Sequence, residues 1–145
     1  MSEPLKIAIA GLGNVGVGVV KILKKHKQLI KERAGREIKI IAVAAKNRKK
    51  ERGVDLSQFE WVDDARNFAN IDAVDVIVEL IGGEDGIAYE LCRNSLSNNK
   101  SVVTANKAMI AHHGAKLASL AQDKNVSLRF EAAVAGGIPI IKAIG

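Results

Sequence analysis

Gly11, Gly13 and Gly16 stand at the spacing G-x-G-x-x-G, directly after the apolar stretch Lys6-Ile-Ala-Ile-Ala10. That spacing suits a phosphate cradle. Gly11 permits a tight turn out of a strand. Gly13 lets the backbone approach a pyrophosphate where a Cβ would block it. Gly16 lets the following helix pack closely on the sheet. Val15, Val19, Val20 and Leu23 follow at helical spacing. A helix N-terminus offers unpaired N–H groups and partial positive charge to an anion. Strand, glycine turn and helix in this order is the context that separates a dinucleotide fingerprint from a glycine-rich turn without a ligand.

A second candidate group follows the next apolar run. Lys46-Asn-Arg-Lys-Lys50 carries no acid until Glu51. A carboxylate at the end of the second strand would hydrogen-bond a ribose 2′-hydroxyl and select NAD, whereas a guanidinium or ammonium pairs with a 2′-phosphate. The expectation is therefore NADP, with NAD possible. Arg48 is the first choice for the phosphate, with Lys46 and Lys49 behind it. The bland alternative is a solvated basic loop.

Other reactive residue types carry less. Cys92 has no activating neighbour in sequence and reads as a packed residue. His112 and His113 point in different directions on a helix, so they form no i,i+4 metal pair and read as surface residues. His26 reads as solvent-facing. Asp63 and Asp64 read as helix caps rather than acid–base groups.

These residues need elements to hold them. Strands are expected over 5–10, 38–45, 74–81, 101–104 and 127–134. Helices are expected from Asn14 to about Ala34, ended by Gly35; over Trp61–Ala69; over Asp85–Ser97; and over Asn106–Lys124, interrupted or adjusted near Gly114. The 38–45 run is almost continuously apolar, as a parallel strand covered on both faces should be. Alternation of strands and helices predicts an α/β Rossmann-type, doubly wound parallel sheet with helices on both faces and strand order 3-2-1-4-5. Ligand is expected at the carboxyl ends of strands 1 and 4. Ile81 and Gly82, where the 74–81 run ends, join the cofactor candidates.

The 145 residues suffice for one domain with a real core. No apolar run is long enough to span a bilayer, and Met1-Ser-Glu-Pro lacks the features of a signal peptide. With a single cysteine, this predicts a cytoplasmic protein. The net charge of +6 raises nucleic acid as a partner, but 3% aromatic content leaves few stacking platforms, so an anionic dinucleotide is preferred and no nucleic acid is expected.

Further stretches are Glu79-Leu-Ile-Gly-Gly83, Val103-Thr-Ala-Asn-Lys-Ala108, His113-Gly114 with its helix, and Glu131-Ala-Ala-Val-Ala-Gly-Gly-Ile-Pro-Ile140. With the glycine turn before them, their order and spacing resemble homoserine dehydrogenase over essentially the whole chain. The strand-2 loop Arg48-Lys-Lys-Glu-Arg-Gly-Val-Asp-Leu56 resembles that family's loop as well.

The resemblance implies NAD(P)-dependent interconversion of L-homoserine and L-aspartate 4-semialdehyde, on the route to threonine and methionine. Asn14 and Val15 match cofactor-contacting positions. Thr104 and Lys107 match residues beside the nicotinamide and the reacting carbon, and Lys107 would act as a supporting catalytic group. A lysine at a helix start is poorly placed for the dipole, which itself points to function. Glu131, Val134, Gly136 and Ile138 match a monovalent-cation site, usually sodium.

By the same resemblance, residues 1–135 form the dinucleotide domain and 136–145 begin a substrate-binding and dimerisation domain. That domain carries the second catalytic lysine and makes the family homo-oligomeric. The expectation is a chain that binds dinucleotide but does not turn over homoserine alone. Competing readings are a non-catalytic NADP-binding module or remnant, and another amino-acid or semialdehyde dehydrogenase on the same scaffold.

Overall fold

The computed structural model describes residues 3–81 and 86–131. In chain order the elements are β1 (Leu5–Ala10), α1 (Asn14–Lys25), α2 (Lys27–Ala34), β2 (Ile38–Ala44), β3 (Glu60–Trp61), a 3₁₀ helix (Ala65–Asn70), β4 (Val76–Glu79), α3 (Ile87–Ser97), β5 (Ser101–Thr104), α4 (Lys107–Lys124) and β6 (Leu128–Phe130). The strands form one sheet in the order β3-β2-β1-β4-β5-β6, every pairing parallel. This is a doubly wound α/β fold of Rossmann type, with the chain order reversing at β1 and β4.

The pattern 3-2-1-4-5 holds, extended by a sixth strand, but not for the five runs counted from the sequence: the 74–81 run, expected outside 38–45, lies beside β1, because the unforeseen Glu60–Trp61 pair takes the outer place on β2. Its third member is the two-residue β3, and the 74–81 run supplies β4. The helix expected from Trp61 begins instead at Ala65, because Trp61 pairs with Val43 and the Val62 N–H continues the ladder to the Val43 carbonyl. Asp64 caps that helix, accepting the Arg66 backbone N–H at 3.0 Å.

Alternation along β1 sends Ile7 and Ile9 to the face covered by α1 and α2, where they meet Val19, Val20, Leu23 and Ile30. Ala8 and Ala10 face the other side, together with Ala42 and Ala44 of β2. This shallow alanine face admits the bulk of Phe68, Leu91 and Leu96. On β2 the inward set changes parity. Ile38 and Ile40 lie on the α1 side, whereas Ala42 lies on the other. The cause is a register shift: Ile7 pairs with Ile40 and Ala8 with Ala42, leaving Ile41 as an extra residue.

The long first helix breaks at His26, which is exposed, and ends at Gly35 in the left-handed conformation (φ 80°). The helix expected around His112–Gly114 is continuous from Lys107 to Lys124. Among the described residues no helix is long and apolar enough to cross a membrane.

Candidate functional site

The glycine turn joins β1 to α1 at the carboxyl edge of the sheet. Gly11 sits at φ +100°, and a Cβ there would lie 2.6 Å from the Leu80 carbonyl oxygen. The turn therefore presses against the segment leaving β4. A Cβ on Gly16 would lie 1.9 Å from the Gly11 carbonyl oxygen, so Gly16 closes the turn onto the helix. Gly13 differs from both. It has an ordinary negative φ (−76°) and no heavy atom within 4 Å of its Cβ position. Nothing among the described residues requires glycine here. What a Cβ would obstruct is a molecule approaching the N-terminus of α1, the cradle a pyrophosphate needs.

That open space belongs to a cleft of about 700 Å³. Gly11, Leu12 and Gly13 line it on one side, Leu80, Ile81 and Ile87 on another. Beyond the end of β2, Lys46, Asn47, Lys50 and Arg52 form a basic wall, with Asp63 and Asp64 nearby. Asn47 takes the left-handed conformation (φ 56°) that turns the chain after β2. The half-buried Arg52 holds this loop: its guanidinium donates to the carbonyls of Lys46 (2.6 Å), Asn47 (3.0 Å) and Lys50 (3.1 Å) and lies 5.5 Å from the Trp61 ring centroid.

The carboxyl ends of β4 and β5 are polar and buried. Glu79 and Thr104 have no exposure, and Asn106 is 6% exposed. The Thr104 hydroxyl donates to Glu79 Oε1 at 2.5 Å, and the Ile81 N–H donates to Glu79 Oε2 at 2.7 Å. The Asn106 N–H donates to Thr104 Oγ1 at 3.0 Å. Asn106 in turn caps α4, its Oδ1 accepting the Met109 N–H at 3.0 Å.

Of the residues singled out from the sequence, Gly11, Gly13, Lys46 and Ile81 line the cleft. Gly16 is buried behind the turn, Asn14 is exposed and Val15 half-buried at the start of α1. Arg48 and Lys49 are exposed and do not line it; Arg48 lies 5.9 Å from the Trp61 ring centroid. Thr104 sits beneath the edge, and Lys107 is the exposed first residue of α4. Gly82, Val134, Gly136 and Ile138 lie outside the described residues, so of the proposed cation ligands only Glu131 is described; its N–H donates to the Thr104 carbonyl.

Cys92 is buried, and burial followed by the Glu79 charge pushes its thiol well above the ordinary range, which suits a packed residue. His112 is exposed, but His113 is half-buried with its ring 4.2 Å from that of Tyr89.

Sequence reasoning passed over Glu79, Asn106, Lys50 and Arg52. Glu79 leaves a signal, an acid closing the otherwise aliphatic Val-Ile-Val run. Arg52 leaves only its charge, because its role depends on a loop that folds back.

The model for "Homoserine dehydrogenase, NAD binding domain" matches residues 11–131. The chain is 45% identical to a homoserine dehydrogenase of Pseudomonas aeruginosa over 144 residues, covering 98% of this chain and 32% of that protein. It is 42% identical to one of Helicobacter pylori, covering 99% and 33%. The crystal structure of a homoserine dehydrogenase from Thiobacillus denitrificans superposes with a TM-score of 0.84 at 40% identity, over 97% of this chain and 32% of that one. The chain thus spans about a third of the length of these relatives.

Proposed function

Because this chain belongs to the homoserine dehydrogenase family, where it corresponds to the NAD-binding domain, we propose that its cleft binds NADP(H) in preference to NAD(H). We propose further that the chain serves the interconversion of L-homoserine and L-aspartate 4-semialdehyde, within threonine and methionine biosynthesis in the cytoplasm. The observation that carries the cofactor reading is Gly13: a glycine that no packing or backbone strain demands, at a helix N-terminus, facing open space.

The residues present fit a dinucleotide. Gly11 and Gly13 would flank the pyrophosphate, with the N–H groups of the first turn of α1 aimed at it. Lys46, Lys50 and Arg52 give the β2 end a cationic wall suited to a 2′-phosphate. The lining favours these three over Arg48 and Lys49. When bound, the nicotinamide supplies the redox chemistry. The chain's own part is to bind, orient and place charge. Thr104 and Lys107 would stand at the nicotinamide end, and the Lys107 ammonium would polarise a carbonyl oxygen or carry a proton there. Binding and orienting homoserine falls to the remaining length of the family's proteins, as does assembly into oligomers. A monovalent cation, sodium by resemblance, would sit at Glu131 with residues 134, 136 and 138.

Paired titrations with NADPH and NADH, followed by cofactor fluorescence, test this reading. The expected result is tighter binding of NADPH and no homoserine oxidation when homoserine and NADP⁺ are added to this chain. A clear advantage for NADH would overturn the NADP preference. Binding of neither would overturn the cofactor site, and turnover would overturn the assignment of homoserine binding elsewhere.

A further inference from the structure

Glu79 is a carboxylate with no solvent exposure at the end of a strand that is otherwise Val76, Ile77 and Val78. Alternation places it on the face of Ile77, the side that α3 and α4 cover. An aliphatic residue would fill that position without desolvating a charge, so the carboxylate is explained by what it holds. Its two oxygens reach different segments. Oε2 takes the Ile81 N–H, on the rim after β4, and Oε1 takes the Thr104 hydroxyl, at the end of β5. From Thr104 the chain of hydrogen bonds continues through the Asn106 N–H to the Asn106 cap of α4, whose first residue is Lys107.

One side chain therefore ties the rim after β4 to the rim after β5 and to the start of α4. The first of these rims lies beside β1, where the strand order reverses, and the second lies one strand further out. We propose that Glu79 is a positioning residue for the nicotinamide half of the dinucleotide. It holds Thr104 and the Lys107 end of α4 at a fixed place against Ile81, without touching the ligand. This inference rests on the dinucleotide reading above and adds to it a division of labour: the glycine turn holds the pyrophosphate, the β2 loop holds the adenosine half, and the Glu79 tie shapes the other half.

The division gives a test that a general loss of stability would not pass. Glu79→Gln in this chain keeps the size and replaces one acceptor oxygen by a donor. NADPH binding should weaken about tenfold, since each link depends on its neighbours. Adenosine 2′,5′-bisphosphate, which lacks the nicotinamide, should bind within about twofold of wild type by calorimetry. The fluorescence of bound NADPH should fall as the nicotinamide loses its fixed surroundings.

Thr104→Val, which removes the hydroxyl and keeps the shape, should reproduce this split. Thr104→Ser, which keeps the hydroxyl, should bind NADPH more tightly than Thr104→Val does. Equal weakening of both ligands, or of neither, overturns the proposal. If Glu79→Gln does not fold, the valine and serine variants decide: equal NADPH affinity in the two overturns it. Wild-type chain that binds neither ligand would instead overturn the cofactor reading, and this inference with it.

Discussion

At the β2 end of the crevice the wall is built from Lys46, Lys50 and Arg52 on a loop in contact with solvent, whereas at the β4–β5 end it is backed by a carboxylate, a hydroxyl and a helix cap, all buried. The first end meets a ligand with charge near solvent, on the exposed Lys46 and Lys50 and on the half-buried Arg52. Its contribution is screened by salt and weakly dependent on geometry. The second end works through fixed hydrogen bonds in a low-dielectric setting, where position decides the strength. The difference follows the two tasks of a dinucleotide domain. A terminal phosphate needs charge of the right sign, and a reacting ring needs a defined place. The glycine turn lies between the ends and serves both.

Breaking that shared turn should have the largest effect. Gly16→Ala puts a methyl 1.9 Å from the Gly11 carbonyl oxygen, a backbone atom that yields only if the whole turn moves. Overpacking of this kind should cost about 3 kcal/mol and lower the melting temperature by roughly 10 °C. Gly13→Ala makes the contrasting case. Loss of a good N-cap and the stiffer unfolded chain oppose each other, so stability should stay within about 1 kcal/mol of wild type. NADPH binding should nonetheless fall by roughly 10- to 100-fold, as charge-assisted bonds to the pyrophosphate are lost. Calorimetric melting beside a fluorescence titration separates the two. A Gly13→Ala chain that binds normally would remove the main support for the cofactor site.

The same contrast explains what the sequence made legible. The glycine spacing, the continuous apolar β2 run and the order of elements are local patterns, and the doubly wound sheet follows from them. The extra residue at Ile41 was hidden because a strand apolar on both faces reads the same in either parity. β3 was hidden because two residues, Glu60 and Trp61, carry no period of their own and are a strand only by pairing with Ala42 and Val43. The basic wall was legible as a charge run, but not which of its cations face the cleft. That depends on Arg52 folding back onto three carbonyls, which the preference for a cation at the strand end, Arg48 first with Lys46 and Lys49 behind it, does not foresee. The Glu79 tie links positions 79, 104 and 106 across two strands, and nothing in their separation announces it.

A sharper test of the exposed end is Arg52→Met. If Arg52 meets the 2′-phosphate, NADPH affinity should fall about tenfold while NADH affinity changes little. Raising salt should narrow the preference of the wild-type chain in the same direction, because the distinguishing charge lies near solvent. The Glu79→Gln deficit should be nearly insensitive to salt. Equal losses for NADPH and NADH on Arg52→Met would instead mean that Arg52 only braces the loop through the Lys46, Asn47 and Lys50 carbonyls.

The smallest effect is expected where the exposed end is fastened to the fold. Asp64, on the cleft wall, accepts the Arg66 guanidinium, which also bridges to Glu90 on α3 at 2.7 Å. The side-chain hydrogen bond from Arg66 holds the Asp64 carboxyl below its usual range, against an opposing effect of burial. A depressed folded-state value stabilises the fold above the unfolded value, near about 3.9, and that contribution disappears as pH falls through the folded value. With the side chain 37% exposed, solvent screening limits it to under about 1 kcal/mol. Asp64→Asn should therefore be slightly less stable than wild type at pH 6 in urea unfolding, and the gap should close as pH falls below the unfolded carboxyl value and through the lowered folded one. The absence of a gap at pH 6 would mean that Asp64 acts mainly as the cap of the 3₁₀ helix, a role asparagine also fills. The exposed end would then owe none of its shape to charge, and the contrast with the buried end would rest on ligand binding alone.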